Sequence, residues 1–132
     1  MSGVTIPAGE LAFLTSVVAD ATSLVLYVNN VTPAKSGTGS LTSDYTMAAG
    51  GGYAPITLSP GSWVLSGSNP TVAAYPIQTF TFTGPLTGNA TIYGVAVKNG
   101  AGNILCAQLV ASPFTPAVNG DTLQDTVSIS LS

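Results

Sequence analysis

The run Thr91–Val110, TIYGVAVKNGAGNILCAQLV, limits what this chain can become more than any other stretch. Two segments rich in Val, Ile, Leu and Tyr flank Asn99-Gly100-Ala101-Gly102-Asn103. A Gly- and Asn-rich connection of this length between apolar runs predicts a β-hairpin, because these residues accept the positive φ that a tight reversal needs. Tyr93, Val95 and Val97 share one face of the first segment, and Ile92, Gly94, Ala96 and Lys98 share the other. In the second, Leu105, Ala107 and Leu109 alternate with Ile104, Cys106, Gln108 and Val110. Both faces are mostly apolar, which predicts central strands covered on two sides and puts the hairpin in the middle of the core.

The rest of the chain supplies partners for it. Residues 1–9 read as a short arm, with Pro7 and Gly9 discouraging regular structure. Glu10–Val18 offers either one or two turns of helix, with Leu11, Leu14 and Val18 at helical spacing, or a strand. Ser23–Asn30 predicts a strand with Leu24, Leu26 and Val28 on one face and Val25 and Tyr27 on the other. Lys35–Ser40 reads as a loop tip, Leu41–Met47 as a short edge strand, and Ala48–Gly52 as a tight bend before Tyr53. Tyr53–Leu58 and Ser62–Ser66 predict two strands joined across the turn-forming triplet Ser59-Pro60-Gly61. Thr71–Tyr75 and Gln78–Thr83 follow, the latter with Phe80 and Phe82 inward and Thr79, Thr81 and Thr83 outward. Pro113 and Pro116 bar a central strand from Ser112–Asn119, Asn119-Gly120-Asp121 makes a turn, and Thr126–Leu131 closes the chain as an alternating strand. About eight short strands with at most one short N-terminal helix predict an all-β fold, a single antiparallel sandwich or jelly-roll. Its organisation is an arm with a short helix or strand over 1–22, then a β-sandwich domain over 23–132.

A chain of 132 residues can bury a core without metal or disulfides. Its surface is unusual, because only 5% of residues are charged against a typical ~25%. A monomer of 13.1 kDa exposes roughly 6,400 Å², so its seven ionised side chains stand about one per 900 Å². Interface cores are depleted in charge, so this composition predicts an assembly component. Disorder demands low hydrophobicity and high net charge, whereas mean hydropathy is +0.47 and the formal charge is −3.

The same inventory narrows the chemistry. Without Arg, His or a basic patch, direct nucleic-acid binding has no cationic footing. No apolar run approaches the ~18–20 residues that span a bilayer, and the N-terminus lacks a basic leader segment, so the reading is a protein made in a reducing cytoplasm. Ser-His and Cys-His triads and His- or Cys-rich zinc sites are excluded by composition. Asp121 and Asp125 could flank a sugar as an acid/base pair, but one sits in a turn and the other keeps an edge soluble. The glycines of Ala48–Gly52 lack the GK[ST] or GxGxxG context of a phosphate loop. Asn30-Val31-Thr32 and Asn89-Ala90-Thr91 are glycosylation triplets without an export signal. Cys106 inside a strand reads as a small core residue. The expectation is a non-enzyme without cofactor or metal.

The run IYGVAVKNGAGNILCAQLV followed by NGDTLQDTVSISLS resembles small β-rich virion proteins of tailed bacteriophages, in which a "YG" strand, a polar Gly turn and a "GDTL" segment precede a closing alternating strand. SLVLYVNNVTP resembles their first core strand and GGYAPITL their "GYA" strand, so the likeness runs from about residue 23 to the end. It departs from them in its shortage of charge and in the Ser/Thr-Gly stretch 35–52. The resemblance implies a virion structural subunit in many copies: a capsid decoration or cement protein, or a tail adaptor or fibre component. Its partners would be the major capsid protein or other virion proteins and further copies of itself. Candidate interface residues are Ile6, Pro7, Leu11 and Phe13 of the arm, with Trp63 and Tyr75; cutting off residues 1–9 is expected to weaken association without changing melting. A receptor- or glycan-binding module, with Trp63, Tyr53 and Tyr75 as stacking platforms, is the other reading.

Overall fold

The computed structural model describes residues 6–67 and 71–131. Its elements are α1 (Pro7–Asp20), β1 (Ala21–Tyr27), β2 (Ile56–Thr57), β3 (Val64–Ser66), β4 (Thr71–Ala74), β5 (Gln78–Thr81), β6 (Ile92–Asn99), β7 (Ile104–Phe114), β8 (Thr122–Asp125) and β9 (Ser128–Leu131). Every strand pairing is antiparallel, in sheets ordered β2-β1-β6-β7, β3-β4-β9 and β5-β8. The fold is all-β and sandwich-like with one N-terminal helix.

Strand alternation builds two cores rather than one. Leu24 and Leu26 of β1 and Val95 and Val97 of β6 enter the main core, with Leu14, Val18, Ala73, Phe80, Phe82 and Val127. Val25, Tyr27 and Ala96, on the opposite faces of the same strands, form a second core with Val31 and Tyr45. The segment between β1 and β2 closes that second core. Asn29 holds it from both sides, Nδ2 donating to the Asp44 carbonyl at 2.7 Å and Oδ1 accepting from Thr46 N at 2.8 Å. Tyr45 packs edge-on against Tyr27, ring centroids 4.9 Å apart, and its hydroxyl donates to the Gly39 carbonyl at 2.6 Å.

The hairpin forms where expected, with Gly102 at φ 89° in its turn. Only β6, however, is central. β7 is a terminal strand of its sheet and mostly half-exposed, so the expectation of two buried strands holds for one of them. Pro113 lies inside β7 at a bulge: Ile92 pairs with Phe114 but Gly94 with Leu109, leaving Val110–Pro113 opposite Tyr93 alone. Proline is tolerated at an edge bulge because no partner needs its missing N–H. The same irregularity breaks the strict alternation of β6. Ile92 joins Val95 and Val97 in the main core while Tyr93 packs on the second.

Three other expectations change. Pro7 starts α1 instead of preventing it: it sits in the first turn, where its fixed φ suits a helix and its lack of N–H costs nothing. The arm reading therefore fails for residues 7–9, and residues 1–5 lie outside the described ones. α1 is seated on the main core through Leu14 and Val18. Leu41–Met47 is not a strand; Thr42–Asp44 make a 3₁₀ turn, because the Asp44 carboxylate accepts from the amides of Gly39 at 2.8 Å and Leu41 at 3.0 Å and competes with any ladder. Finally, β2 and β3 are not a hairpin. Pro60–Ser62 form another 3₁₀ turn that carries the chain from one sheet to another, β2 pairing with β1 and β3 with β4. The Ala48–Gly52 bend does form: Gly50, Gly51 and Gly52 all have positive φ (79°, 59° and 75°), and Thr83 N donates to the Gly51 carbonyl at 2.8 Å.

Candidate interaction surfaces

Burial on α1 is confined to one stripe, Glu10, Leu14 and Val18. At 3.6 residues per turn Ile6, Leu11 and Phe13 fall outside it. Ile6, at the N-cap, and Phe13 lie on one shoulder of the stripe, 65% and 59% exposed, and Leu11, 44% exposed, lies on the other, while Pro7 is in line with the stripe and exposed at its N-terminal end. Between the shoulders, facing away from the core, stand the exposed residues Ala8, Ala12, Ser16 and Ala19. The predicted interface residues Leu11 and Phe13 thus flank the buried stripe on opposite sides, with Ile6 and Pro7 exposed at the start of the helix, and the exposed part of α1 carries no ionised side chain before Asp20.

Trp63 and Tyr75 do not join them. Each is only 6% exposed, and the two rings pack edge-to-face at 5.0 Å within the main core. The Tyr75 hydroxyl accepts from Ser59 N at 3.0 Å. Tyr53 is similarly committed, stacked on Phe80 at 6.0 Å with its hydroxyl accepting from Leu26 N at 3.1 Å. The interface assignment of Trp63 and Tyr75 is therefore withdrawn, and neither ring offers an open face for stacking; Tyr53 is half-buried. Ring burial wins because each ring removes far more apolar area from water than a strand-end position would otherwise hide.

The acidic groups serve local structure. Asp121 Oδ2 accepts from the amides of Ala117 at 2.8 Å and Val118 at 3.0 Å, and those bonds hold its carboxyl below the usual carboxylate range. Asp125 Oδ1 accepts from Thr126 N at 2.9 Å. Among the described residues no three His, Cys, Asp or Glu side chains gather as a metal site would require. Burial pushes the Cys106 thiol up to about 12, so it stays protonated and a poor nucleophile at neutral pH. Among the described residues no helix is long and apolar enough to cross a membrane.

Asp44 supplies a pH test. The amides of Leu41 and Gly39 pull its carboxyl below the ordinary value of 3.8. A depressed folded-state pKa gives a contribution fully present above the unfolded value and lost as pH falls through the folded one. The Gly39 and Leu41 amide resonances are therefore expected to shift together on acidification, with a midpoint below 3.8. In Asp44→Ala that acid transition should vanish; a midpoint above 3.8 in the native chain contradicts the geometry.

An open cleft of about 470 Å³ was not foreseen from the sequence. Ile104–Ala107 of β7 and Ser128–Ser130 of β9 wall it, and Lys35, Leu41 and Tyr45 also line it. Both strands end their sheets, so backbone groups on the outer side of each lack a ladder partner. The one sequence signal for an edge was Pro113 in the continuation of an apolar run. No protein-family profile matches this chain, and neither the curated proteins nor the solved structures provide a match.

Proposed function

We propose that this chain is a structural subunit of a tailed-phage virion, a decoration or cement protein that binds between capsomers. The observation that carries the reading is the outer side of α1. Ile6, Leu11 and Phe13 are all more than two-fifths exposed on a surface almost without ions. The chain exposes 7080 Å² and, with Glu10 buried, carries six charged side chains on it, about 1,200 Å² for each, which favours coverage by neighbours over life as an isolated solute. Buried area summed over many copies, at roughly 25 cal/mol per Å² before ordering costs, gives a clamp its strength. The resemblance of the segments SLVLYVNNVTP, GGYAPITL and the hairpin run to phage virion proteins is a likeness of sequence pattern and supports the same reading.

The test is to locate the chain in purified virions with gold-labelled antibody and then to repeat assembly with Leu11→Lys/Phe13→Lys. Regular labelling over the shell is expected, and the double variant should drop particle occupancy at least tenfold while its melting temperature stays within a few degrees of the native chain. Label confined to the tail moves the protein to an adaptor or fibre role. Virions free of label, or full occupancy by the variant, overturn the proposal.

A further inference from the structure

We infer that the cleft between β7 and β9 is a docking slot for an extended, carboxylate-bearing peptide segment of another polypeptide, which enters as an added strand. The inference does not depend on the virion assignment, and it uses a surface other than α1.

The direction of the backbone groups comes first. Leu26 turns both of its polar groups away from β6, its N–H donating to the Tyr53 hydroxyl at 3.1 Å and its carbonyl accepting from Ala48 N at 2.9 Å. In an antiparallel ladder inward and outward residues alternate. Val25 therefore faces β6, Ala96 bonds back to β1, and Ala107, the partner of Ala96 in β7, presents its N–H and carbonyl to the open side. The same reasoning applies to β9. Tyr75 N donates to the Val127 carbonyl at 3.0 Å, so Val127 faces β4 and Ser128 and Ser130 face away. Ala107 on β7 and Ser130 on β9, with the Ser128 carbonyl, thus turn free peptide groups outward beside one cleft.

Gln108 shows what kind of group belongs between them. Its side-chain Nε2 donates to the Thr126 carbonyl at 2.9 Å and its Oε1 accepts from Ser128 N at 3.4 Å. At that end of the cleft a side-chain amide already takes the two roles that a peptide unit of an interposed strand would take. Further along, the Thr42 hydroxyl accepts from Ile104 N at 2.9 Å and closes the other end. What stays open between these stoppers is short, a matter of a few residues, as main-chain pairing at an exposed edge requires. The walls are otherwise Pro33, Leu41, Leu105 and Ile129, and Lys35 is the only ionised side chain among the lining residues. Lys35 sets the polarity, since the neighbouring Asp44 carboxylate is committed to the Gly39 and Leu41 amides: the occupant carries an Asp, Glu or C-terminal carboxylate near Lys35, with small apolar or β-branched residues alternating along it.

The experiment selects binders from a displayed random heptapeptide library with free C-termini. The best peptide is then synthesised and amide exchange is followed in the native chain with and without it. Selected sequences should be proline-free, β-branched at alternate positions and acidic. The peptide should slow exchange at Ala107 and Ser130 at least tenfold while leaving the already paired Cys106 and Ile129 unchanged. Ala107→Pro removes one outward donor from an edge position and should weaken binding at least tenfold. Lys35→Glu, on an exposed loop, should reverse the preference toward basic peptides. Failure to select any peptide, protection elsewhere on the surface, or selected peptides indifferent to both substitutions overturns the proposal. Because amide exchange is read on the native chain, a folding defect in Ala107→Pro does not blur the answer.

Discussion

Gly94→Ala is expected to destabilise the protein by about 3 kcal/mol or more, at the upper end of what overpacking a tight core costs. Gly94 pairs directly with Tyr27 across β1 and β6, and the tyrosine side chain lies over it. A methyl group there would meet Cζ and Oη of Tyr27 and come within 2.5 Å of the Gln108 carbonyl oxygen. Neither neighbour can retreat: Tyr27 is fully buried against Tyr45, and the Gln108 carbonyl belongs to the β6–β7 ladder. Thermal melting should fall by about 10 °C for a domain of this size. Shrinking the ring with Tyr27→Leu in the same chain should recover part of the loss, because residues in contact are non-additive. If Gly94→Ala melts with the native protein, the second core is not packed as described.

The second large effect falls on α1. Leu14→Ala should cost 2–5 kcal/mol, since the side chain is 2% exposed and leaves a void among Val18 and the strands beneath. Leu11→Ala, a few residues away but 44% exposed, should stay within ~0.5 kcal/mol. Urea unfolding monitored by circular dichroism separates the two. Equal small effects would mean that the helix is only loosely attached, as the arm reading had it. This pair also refines the truncation experiment, because deletion through residue 9 removes the first turn of α1 and should not leave melting untouched.

Where local chemistry and long-range pairing agree, the sequence reveals the fold. The alternation in Ser23–Asn30 sorts Leu24 and Leu26 from Val25 and Tyr27 correctly because β1 has partners on both edges and cover on both faces. The hairpin turn and the three-glycine bend are equally visible, since they depend on φ values that few residues accept. What escapes a sequence reading is set by distant partners. Nothing in Tyr53–Ser66 says that its two strands join different sheets, and nothing in Thr122–Asp125, which lies between a turn and an alternating run, says that it pairs with Gln78–Thr81. Edge status is invisible in the same way. Apolar alternation in Ile104–Val110 suggested a central strand, but that half-buried face packs on the core while the edge of β7 stays open. Trp63 and Tyr75 were ambiguous because a lone aromatic at a strand end can turn either way, and here the main core claims both. Pro7 misled through composition: proline breaks helices in their middle and starts them at their first turn.

A surface with two cations and four side-chain carboxylates, Glu10 being buried, has a consequence for how any assembly of this protein must be handled. Contacts made by Leu, Phe and Ile side chains have no Coulomb component for electrolyte to screen, so a high-salt wash that strips ordinary ion-paired subunits should leave this one in place. Ammonium sulfate should tighten its grip, whereas chilling or dilute urea should loosen it, because those agents act on the hydration of hydrocarbon.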